Sequence, residues 1–236
     1  MKDLKIYVGY DPREWAAYQV AAYSISARTP DVLISPLKLS DLRHILTREH
    51  DKLATTEFTY SRFLVPYLNK YKGWALYVDS DVLCQYDISQ IFTLAQKKYG
   101  VMCVKHNYEP TATTKMDNRI QSIYPRKNWS SVMLFNCSHP NTKKLTPELI
   151  NNPEVTPAYL HQMQWIEDEK IGELPHEWNW LVNWYQEPRD GKPKLLHYTE
   201  GGPWFKEYFT TQYHERWKRE YRVLKGEQFT ENMCVE

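Results

Sequence analysis

One short stretch constrains the fold of this chain more than any other. An apolar run at 73–78, Gly-Trp-Ala-Leu-Tyr-Val, leads directly into Asp79-Ser80-Asp81. A short apolar run bounded by polar residues is typical of a β-strand. Other apolar runs alternate along the chain with helical patterns, of which 12–26 is the clearest. This alternation predicts an α/β domain with a mainly parallel sheet flanked by helices.

The two aspartates that follow the apolar run are two positions apart. In extended chain, residues at this spacing point to the same side, so Asp79 and Asp81 can direct both carboxylates at one point. In a parallel sheet that point lies at the carboxyl edge of the strands, where ligands bind. Two adjacent carboxylates repel each other unless a cation neutralises them, and oxygen ligands favour Mg²⁺ or Mn²⁺. A solvated acidic turn is the alternative interpretation.

The composition excludes several classes of protein. Lys and Arg number 30 and Asp and Glu 29, so the net charge of +1 removes the electrostatic basis for nucleic-acid binding. No run of about 18 apolar residues predicts a membrane-spanning helix. The chain starts with a strand pattern instead of a secretory signal, and its four cysteines include no Cys-x-x-Cys pair. We therefore expect a cytoplasmic protein.

The length of 236 residues is sufficient for one full-sized domain. We predict residues 1–204 to be that domain and residues 205–236 to be a C-terminal helical appendage. Residues 205–224 have the pattern of a helix that is rich in aromatic and basic side chains. Such a helix either packs on the domain or makes a peripheral contact with anionic lipid at the inner face of a membrane.

Six short motifs stand in a fixed order along the chain. They are Ile-Tyr-Val-Gly-Tyr-Asp at 6–11, Tyr-Ser-Arg-Phe at 60–63, Leu-Tyr-Val-Asp-Ser-Asp-Val-Leu at 76–83, Ser-Ser-Val-Met-Leu-Phe-Asn at 130–136, Leu-Pro-His-Glu-Trp-Asn at 174–179, and His197 followed by Gly-Gly-Pro-Trp at 201–204. Together they resemble the retaining glycosyltransferases of the GT-A fold, particularly family 8, the glycogenin and lipopolysaccharide galactosyltransferase group. The resemblance covers nearly the whole chain and implies a GT-A-type, Rossmann-like fold.

The resemblance implies a metal-dependent hexosyltransferase. The reaction would move a sugar from a nucleotide-diphosphate donor, first of all a UDP-sugar, to a glycan or glycolipid acceptor with retention of configuration. Asp79, Asp81 and His197 would hold the metal. An imidazole ligand beside two carboxylates favours Mn²⁺, with Mg²⁺ as the second choice.

The resemblance also implies a set of donor-binding residues. Arg62 is expected near the diphosphate and the sugar, where a planar guanidinium suits a phosphate, although a surface salt bridge would also explain it. The Gly201-Gly202 pair would let the backbone approach the phosphates, and Lys206 is a further source of positive charge. The complete set of expected nucleotide-sugar contacts is Tyr7, Gly9, Asp11, Arg62, Ser80, Gly201, Gly202 and Lys206.

The sequence departs from the family pattern at two places. The family has Asp-Gln-Asp where this chain has His161-Gln162-Met163, and a lysine where this chain has Gly202. The carboxylate proposed to lie beneath the anomeric carbon is therefore missing, while the glutamine remains. We assign the catalytic positions to Gln162 and Arg62.

The missing carboxylate bears on the route to retention. We favour front-face displacement, in which the leaving phosphate accepts the proton of the acceptor hydroxyl. Double displacement through Glu167 or Asp168 stays open.

Two other functions stay open as well. A non-catalytic nucleotide- or sugar-binding module on the same fold would explain the two departures. A phosphatase of the haloacid dehalogenase type also has a strand followed by Asp-x-Asp, but usually near its N-terminus, whereas 78 residues precede Asp79 here.

An aromatic-rich segment at 178–185 has two interpretations. Its aromatic faces could stack on an acceptor sugar, or the segment could belong to the core. The side chains concerned are Trp178, Asn179, Trp180, Asn183, Trp184 and Tyr185.

Overall fold

The computed structural model describes residues 4–48, 56–108 and 125–235, and the backbone of 114–115 and 119–120. The strands are β1 Lys5–Gly9, β2 Leu33–Leu37, β3 Trp74–Val78, β4 Val82–Cys84, β5 Val101–Cys103, β6 Thr114–Lys115, β7 Arg119–Ile120, β8 Val132–Asn136, β9 Ile171–Glu173, β10 Trp180–Leu181 and β11 Leu195–His197. The α-helices are α1 Trp15–Arg28, α2 Leu39–Leu42, α3 Val65–Leu68, α4 Ser89–Thr93, α5 Pro147–Asn151, α6 Pro157–His161 and α7 His214–Lys225.

The main sheet has six strands in the order β2-β1-β3-β8-β5-β9. Strand β1 pairs in parallel with β2 and β3, and β5 pairs in parallel with β9. Strand β8 is antiparallel to both β3 and β5. The predicted mainly parallel sheet is confirmed, and the carboxyl ends of β1, β3, β5 and β9 meet at one edge.

A second sheet of three strands, in the order β10-β11-β4, lies next to this edge. Strand β11 runs parallel to β10 and antiparallel to β4. Its last residue, His197, pairs with Val82 at the start of β4. This register places a residue from late in the chain beside the Asp-Ser-Asp segment.

The central strand β3 is buried on both faces. Ala75 and Tyr77 belong to one hydrophobic cluster, and Leu76 and Val78 belong to another on the opposite face. Successive side chains of a strand point to opposite faces, so an uninterrupted apolar run supplies both clusters. The prediction of a strand at 73–78 is confirmed.

Two segments with helical sequence patterns, 58–68 and 156–166, form shorter helices than those patterns indicate. Residues 58–68 fold as a 3₁₀ turn, Ser61–Leu64, followed by α3. Residues 156–166 form α6, which ends at His161, and Met163 has a positive φ of 56° that a helix cannot contain. The polar segment 107–128, whose lack of periodicity and two prolines predict a loop, lies largely outside the described residues.

The C-terminal helix starts later than predicted. The pattern at 205–224 folds as a 3₁₀ turn, Lys206–Tyr208, and then as α7, because Tyr213 adopts a left-handed conformation with φ 63°. Trp217 and Tyr221 of α7 are buried in a cluster that also contains Trp204. In the part of the chain that is described, no helix has both the length and the apolar character needed to span a bilayer.

Candidate active site

Three potential metal ligands meet where the two sheets adjoin. Asp79 directly follows β3, Asp81 directly precedes β4, and His197 ends β11. One ligand atom from each lies within 4.8 Å of the others, and the three residues are 9%, 7% and 2% exposed. The fold therefore brings together the three residues that the sequence predicts as metal ligands.

Asn179 orients the imidazole of His197. Nδ1 of His197 lies 2.8 Å from Asn179 Oδ1, while the Asn179 amide nitrogen donates to Ser131 Oγ (2.9 Å) and Asn128 O (3.2 Å). Because an amide oxygen can only accept, Nδ1 carries the proton. A neutral His197 then directs the lone pair of Nε2 toward Asp81, whose Oδ1 is 3.4 Å away. A second layer of this kind fixes the tautomer that a metal ligand needs.

Asp79 is held by two side chains. The phenol of Tyr77 donates to Asp79 Oδ1 at 2.5 Å, and Nη1 of Arg62 lies 2.9 Å from the same oxygen. Arg62 is 5% exposed and also donates from Nη1 to Ser130 O (3.0 Å) and from Nε to Phe58 O (3.2 Å). Arg62 is therefore a buried partner of a metal-ligand candidate, and the surface salt bridge considered from the sequence is wrong.

The charges of the three ligand candidates perturb one another. Burial raises the pKa of Asp79, and the charge of Asp81 adds to this increase while Arg62 opposes it. Burial lowers the pKa of His197, but the carboxylates of Asp81 and Asp79 outweigh it, so that pKa is raised overall. The pKa values of Asp79 and His197 are both raised because two carboxylates are confined to one buried site. A divalent cation bound there would reduce the repulsion between the carboxylates.

The ligand set fits such a cation. Oxygen atoms bound to one small cation at about 2.1 Å lie at most about 4.2 Å apart. Rotations of side chains whose ligand atoms are within 4.8 Å would be enough for coordination. Two carboxylates and one imidazole are ligands that a divalent cation accepts, and the choice of Mn²⁺ stays a prediction.

Gly9 and Tyr7, expected on the nucleotide side, have clear packing roles. A Cβ on Gly9 would lie 2.8 Å from the Phe58 ring and 2.9 Å from the Tyr77 hydroxyl oxygen. Gly9 therefore leaves room for the phenol that donates to Asp79. Burial raises the pKa of Tyr7 to about 12, so its hydroxyl stays protonated. Contact of either residue with a nucleotide stays a prediction.

Asp11 is fully buried at the start of the 3₁₀ turn Pro12–Glu14. Its carboxylate accepts from the backbone N–H of Arg13 (3.0 Å), from the Arg13 guanidinium (2.9 and 2.5 Å) and from the N–H of Glu57 (3.3 Å). Burial opposes ionisation, but these bonds outweigh it and lower the pKa of Asp11. Asp11 therefore ties the end of β1 to the segment that precedes Arg62.

Replacing Asp11 with alanine is expected to lower the free energy of unfolding by about 2 kcal/mol, because a cap and a buried charge-assisted bond are lost together. Because the pKa of Asp11 is lower in the folded protein than its ordinary value of 3.8, the carboxylate stabilises the fold fully above pH 3.8. This stabilisation is lost as the pH falls through the pKa of the folded protein. Urea unfolding of both proteins across this range measures it, with exposed Asp41→Ala as control. Unchanged stability together with lost nucleotide binding would contradict the structural role.

The Gly201-Gly202 pair has a steric explanation within the fold. Gly201 has a φ of +147°, and a Cβ there would lie 2.4 Å from the Tyr208 ring. A Cβ on Gly202 would lie 2.1 Å from the ring of buried Trp204. The glycines thus make room for two aromatic rings. Lys206 is exposed, and binding of phosphate by these residues stays a prediction.

The His161-Gln162 segment connects to the Arg62 network. His161 Nδ1 lies 2.7 Å from Ser130 Oγ and its Nε2 lies 3.1 Å from Thr59 O. Ser130 is also the residue whose carbonyl accepts from Arg62. Where the family has an aspartate, this chain therefore has His161, whose hydrogen bonds to Ser130 and Thr59 support the position of Arg62.

Gln162 and Ser80 also occupy defined positions. Gln162 is half-buried at the end of α6, where its side-chain oxygen accepts from Gln164 Nε2 at 3.2 Å. Ser80 is fully buried, and its Oγ has no hydrogen-bond partner among the described residues. Their predicted roles toward a donor stay predictions.

Two residues that orient the ligands were not predicted in those roles. Tyr77 has the same two-residue spacing from Asp79 that relates Asp79 to Asp81, so its orientation toward the site could have been found in the sequence. Asn179 lies 18 residues before His197, and no local pattern indicates their contact.

A mostly parallel α/β sheet whose third strand ends in paired aspartates, with helices around it, defines a GT-A-type glycosyltransferase. The sequence pattern of glycosyl transferase family 8 matches residues 18–207, and the chain belongs to this family. It is 47% identical to the protein CDI of Arabidopsis thaliana over 225 residues, which cover 93% of this chain and 86% of that protein.

Solved structures show the same fold. The galactosyltransferase LgtC, solved with donor and acceptor sugar analogues, aligns with a TM-score of 0.57 and 14% identity over 94% of this chain and 96% of its own. The bifunctional glycosyltransferase WbbM aligns with a TM-score of 0.67 and 14% identity over 97% of this chain. GlyE of Streptococcus pneumoniae TIGR4 aligns with a TM-score of 0.63 and 16% identity over 94%. This chain spans 52% of the WbbM chain and 62% of the GlyE chain.

Proposed function

We propose that this glycosyltransferase is metal-dependent and transfers a sugar from a nucleotide-diphosphate donor, first of all a UDP-sugar, to a glycan or glycolipid acceptor with retention. The observation that carries the proposal is the buried triad of Asp79, Asp81 and His197 beside Arg62. A leaving diphosphate gains negative charge as the sugar departs, and a cationic site stabilises that charge. Mn²⁺ held by the triad would supply the larger part of it as a Lewis acid.

The protein's own side chains have separate tasks in this reaction. Tyr77 and Arg62 fix one carboxylate, and Asn179 fixes the tautomer of His197. Arg62 adds a fixed positive charge beside Asp79. Gln162 is the polar group proposed near the reacting carbon.

Front-face displacement remains our proposal for retention. Of the two acids considered for double displacement, Asp168 accepts with both carboxylate oxygens from Nη2 of Arg126 (2.6 and 2.7 Å), and Glu167 accepts from Asn141. Both acids are exposed. These contacts support a route in which the leaving phosphate takes the acceptor's proton.

A thermal-shift panel tests the proposal. UDP, GDP, ADP and their common sugar conjugates are each added with and without Mn²⁺, because a ligand that binds the folded state raises the unfolding temperature. We expect one nucleoside diphosphate to stabilise the chain only with metal, and its sugar conjugate to be hydrolysed slowly. Binding without hydrolysis would favour the non-catalytic module, and no metal-dependent shift would overturn the proposal.

The proposal includes a cytoplasmic location with a peripheral membrane contact through 205–224. Trp217 and Tyr221 are buried, so the contact would depend on basic side chains of α7, such as Arg219 and Arg222. Each such residue near an anionic surface contributes about 1 kcal/mol. Sedimentation with phosphatidylserine vesicles at low salt should remove the chain from solution. Binding that is unaffected by Arg219→Glu and Arg222→Glu, or absent, would contradict it.

A further inference from the structure

One large aromatic side chain on the loop after β10 is exposed. Trp184 is 37% exposed, whereas Trp178 and Trp180 of the same aromatic segment are 1% and 0% exposed. Strands β10 and β11 are parallel, and Leu181 pairs with His197. Trp184, three residues further on, therefore emerges at the sheet edge where the metal-ligand candidates lie.

Trp184 is fixed in place by neighbouring loops. The ring of Tyr108 meets it edge to face, with centroids 5.0 Å apart and an interplanar angle of 83°. The hydroxyl of Tyr108 donates to Glu200 Oε1 at 2.9 Å, and Lys127 Nζ lies 5.6 Å from the centroid of the Tyr108 ring. Glu200 is three residues past His197. Loops that follow β5, β10 and β11 thus combine an exposed indole with a half-buried carboxylate.

We propose that Trp184 and Glu200 form the acceptor subsite and that they bind a pyranoside. A pyranose has an apolar C–H face, which stacks on an indole, and a rim of hydroxyls, which donate to a carboxylate. Glu200 Oε1 already accepts from Tyr108, which leaves Oε2 to accept from the sugar. This inference rests on the proposed function, because it places the acceptor sugar beside the metal-ligand candidates.

The sheet order distinguishes this subsite from that of the nucleobase. Strand β1, where the nucleotide is expected, lies on one side of β3, whereas β8 and β5 lie on the other. Tyr108 comes five residues after the end of β5, which lies on the other side of β3 from β1 in the sheet. A donor that extends from β1 over the triad would present its sugar toward Trp184.

Saturation-transfer NMR tests the subsite on the full chain with Mn²⁺ and UDP. The probes are methyl α- and β-glycosides of glucose, galactose and N-acetylglucosamine. We expect at least one probe to receive saturation at its ring protons. Trp184→Ala should weaken its binding about tenfold, as loss of one aromatic contact predicts, and Trp184→Phe should retain most of it. Trp15→Ala, which removes a tryptophan that is 43% exposed on α1, is the matched control.

Three results would overturn the subsite. The first is that no probe receives saturation, and the second is that Trp184→Ala binds the probe as well as the unmodified chain does. The third is that Trp184→Ala loses binding together with a fall in its unfolding temperature, and that Trp184→Phe restores neither. Weakened UDP binding in Trp184→Ala would place the nucleobase on this ring instead. Donor hydrolysis by the unmodified chain is measured in parallel, so that failure of the subsite and failure of the proposed function are separated.

Discussion

Replacing Asp81 with asparagine is expected to lower metal-dependent turnover about a thousandfold, to the rate seen without added metal. Asp81 lies 3.4 Å from His197 Nε2, and its charge acts on Asp79 as well. Asparagine keeps the shape of the side chain but removes half of the carboxylate charge from the triad. The result would be a site that binds the cation weakly and leaves the diphosphate charge without its main partner.

The corresponding change at Asp79 should cost stability as well as turnover. Asp79→Asn removes the carboxylate that pairs with Arg62 at 2.9 Å, and Arg62 is 5% exposed. Removing one partner of a buried ion pair typically lowers the free energy of unfolding by about 3 kcal/mol, because the remaining charge stays buried without its partner. Asp81 lies 3.4 Å from His197, and an imidazole, unlike a guanidinium, can lose its proton when its carboxylate partner is removed, so Asp81→Asn should lose less stability.

Two measurements check this pair of variants. Donor hydrolysis is followed as Mn²⁺ is titrated, and urea unfolding is followed without metal. Asp41→Asn, an exposed aspartate on α2, should change neither. Mn²⁺-dependent turnover that persists in either variant of the triad would contradict the metal assignment. Equal stability of the two variants would contradict the role given to the Arg62–Asp79 pair.

Those parts of the site that depend on local spacing can be predicted from the sequence. The run at 73–78 predicts a strand, and the spacing of Asp79 and Asp81 predicts two carboxylates on one side. The GT-A fold follows from the order of the motifs. His197 was found only through the resemblance, because its pairing with Val82 spans more than a hundred residues of chain.

The remaining features depend on tertiary contacts that no local pattern encodes. The antiparallel direction of β8 is set by its pairing with both β3 and β5. Gly9 also has a steric role that the sequence could not show, because a Cβ there would meet the Tyr77 hydroxyl, while its contact with a nucleotide stays a prediction. The pattern at 156–166 indicates a helix throughout, but the positive φ of Met163 ends it early. In this last case packing overrides local propensity.

The buried charges around Asp79 have a consequence for the order of binding. With His197 in the neutral form that a metal ligand needs, two carboxylates and one guanidinium give a net charge of −1. A divalent cation alone changes this to +1 in a buried site, whereas a cation together with a diphosphate restores a negative balance. We therefore expect metal and diphosphate to strengthen each other's binding, and this coupling is reciprocal. We expect Arg62 to be the residue that makes metal binding depend on the nucleotide.

Arg62→Gln is accordingly expected to raise the affinity for Mn²⁺ when no nucleotide is present and to lower it when UDP is bound. Without nucleotide, Mn²⁺ should bind about tenfold more tightly, because at an effective dielectric of about 20 the removed repulsion exceeds the 1.4 kcal/mol that this factor represents. With UDP, Mn²⁺ should bind more weakly, and turnover should fall about a hundredfold, the effect of losing one group that stabilises developing charge. Arg62→Lys keeps the charge without the planar fork and should lie between.

Electron paramagnetic resonance of free Mn²⁺, with and without UDP, measures both affinities. Arg62 lowers the pKa of Asp79, so its removal raises that pKa and lets protons compete with the metal. The titration is therefore made at about pH 8, where the carboxyl is ionised. Exposed Arg43→Gln is the matched control. If Arg62→Gln weakened Mn²⁺ binding equally with and without UDP, Arg62 would only position Asp79, and the coupling of metal and diphosphate would have to come from elsewhere in the site.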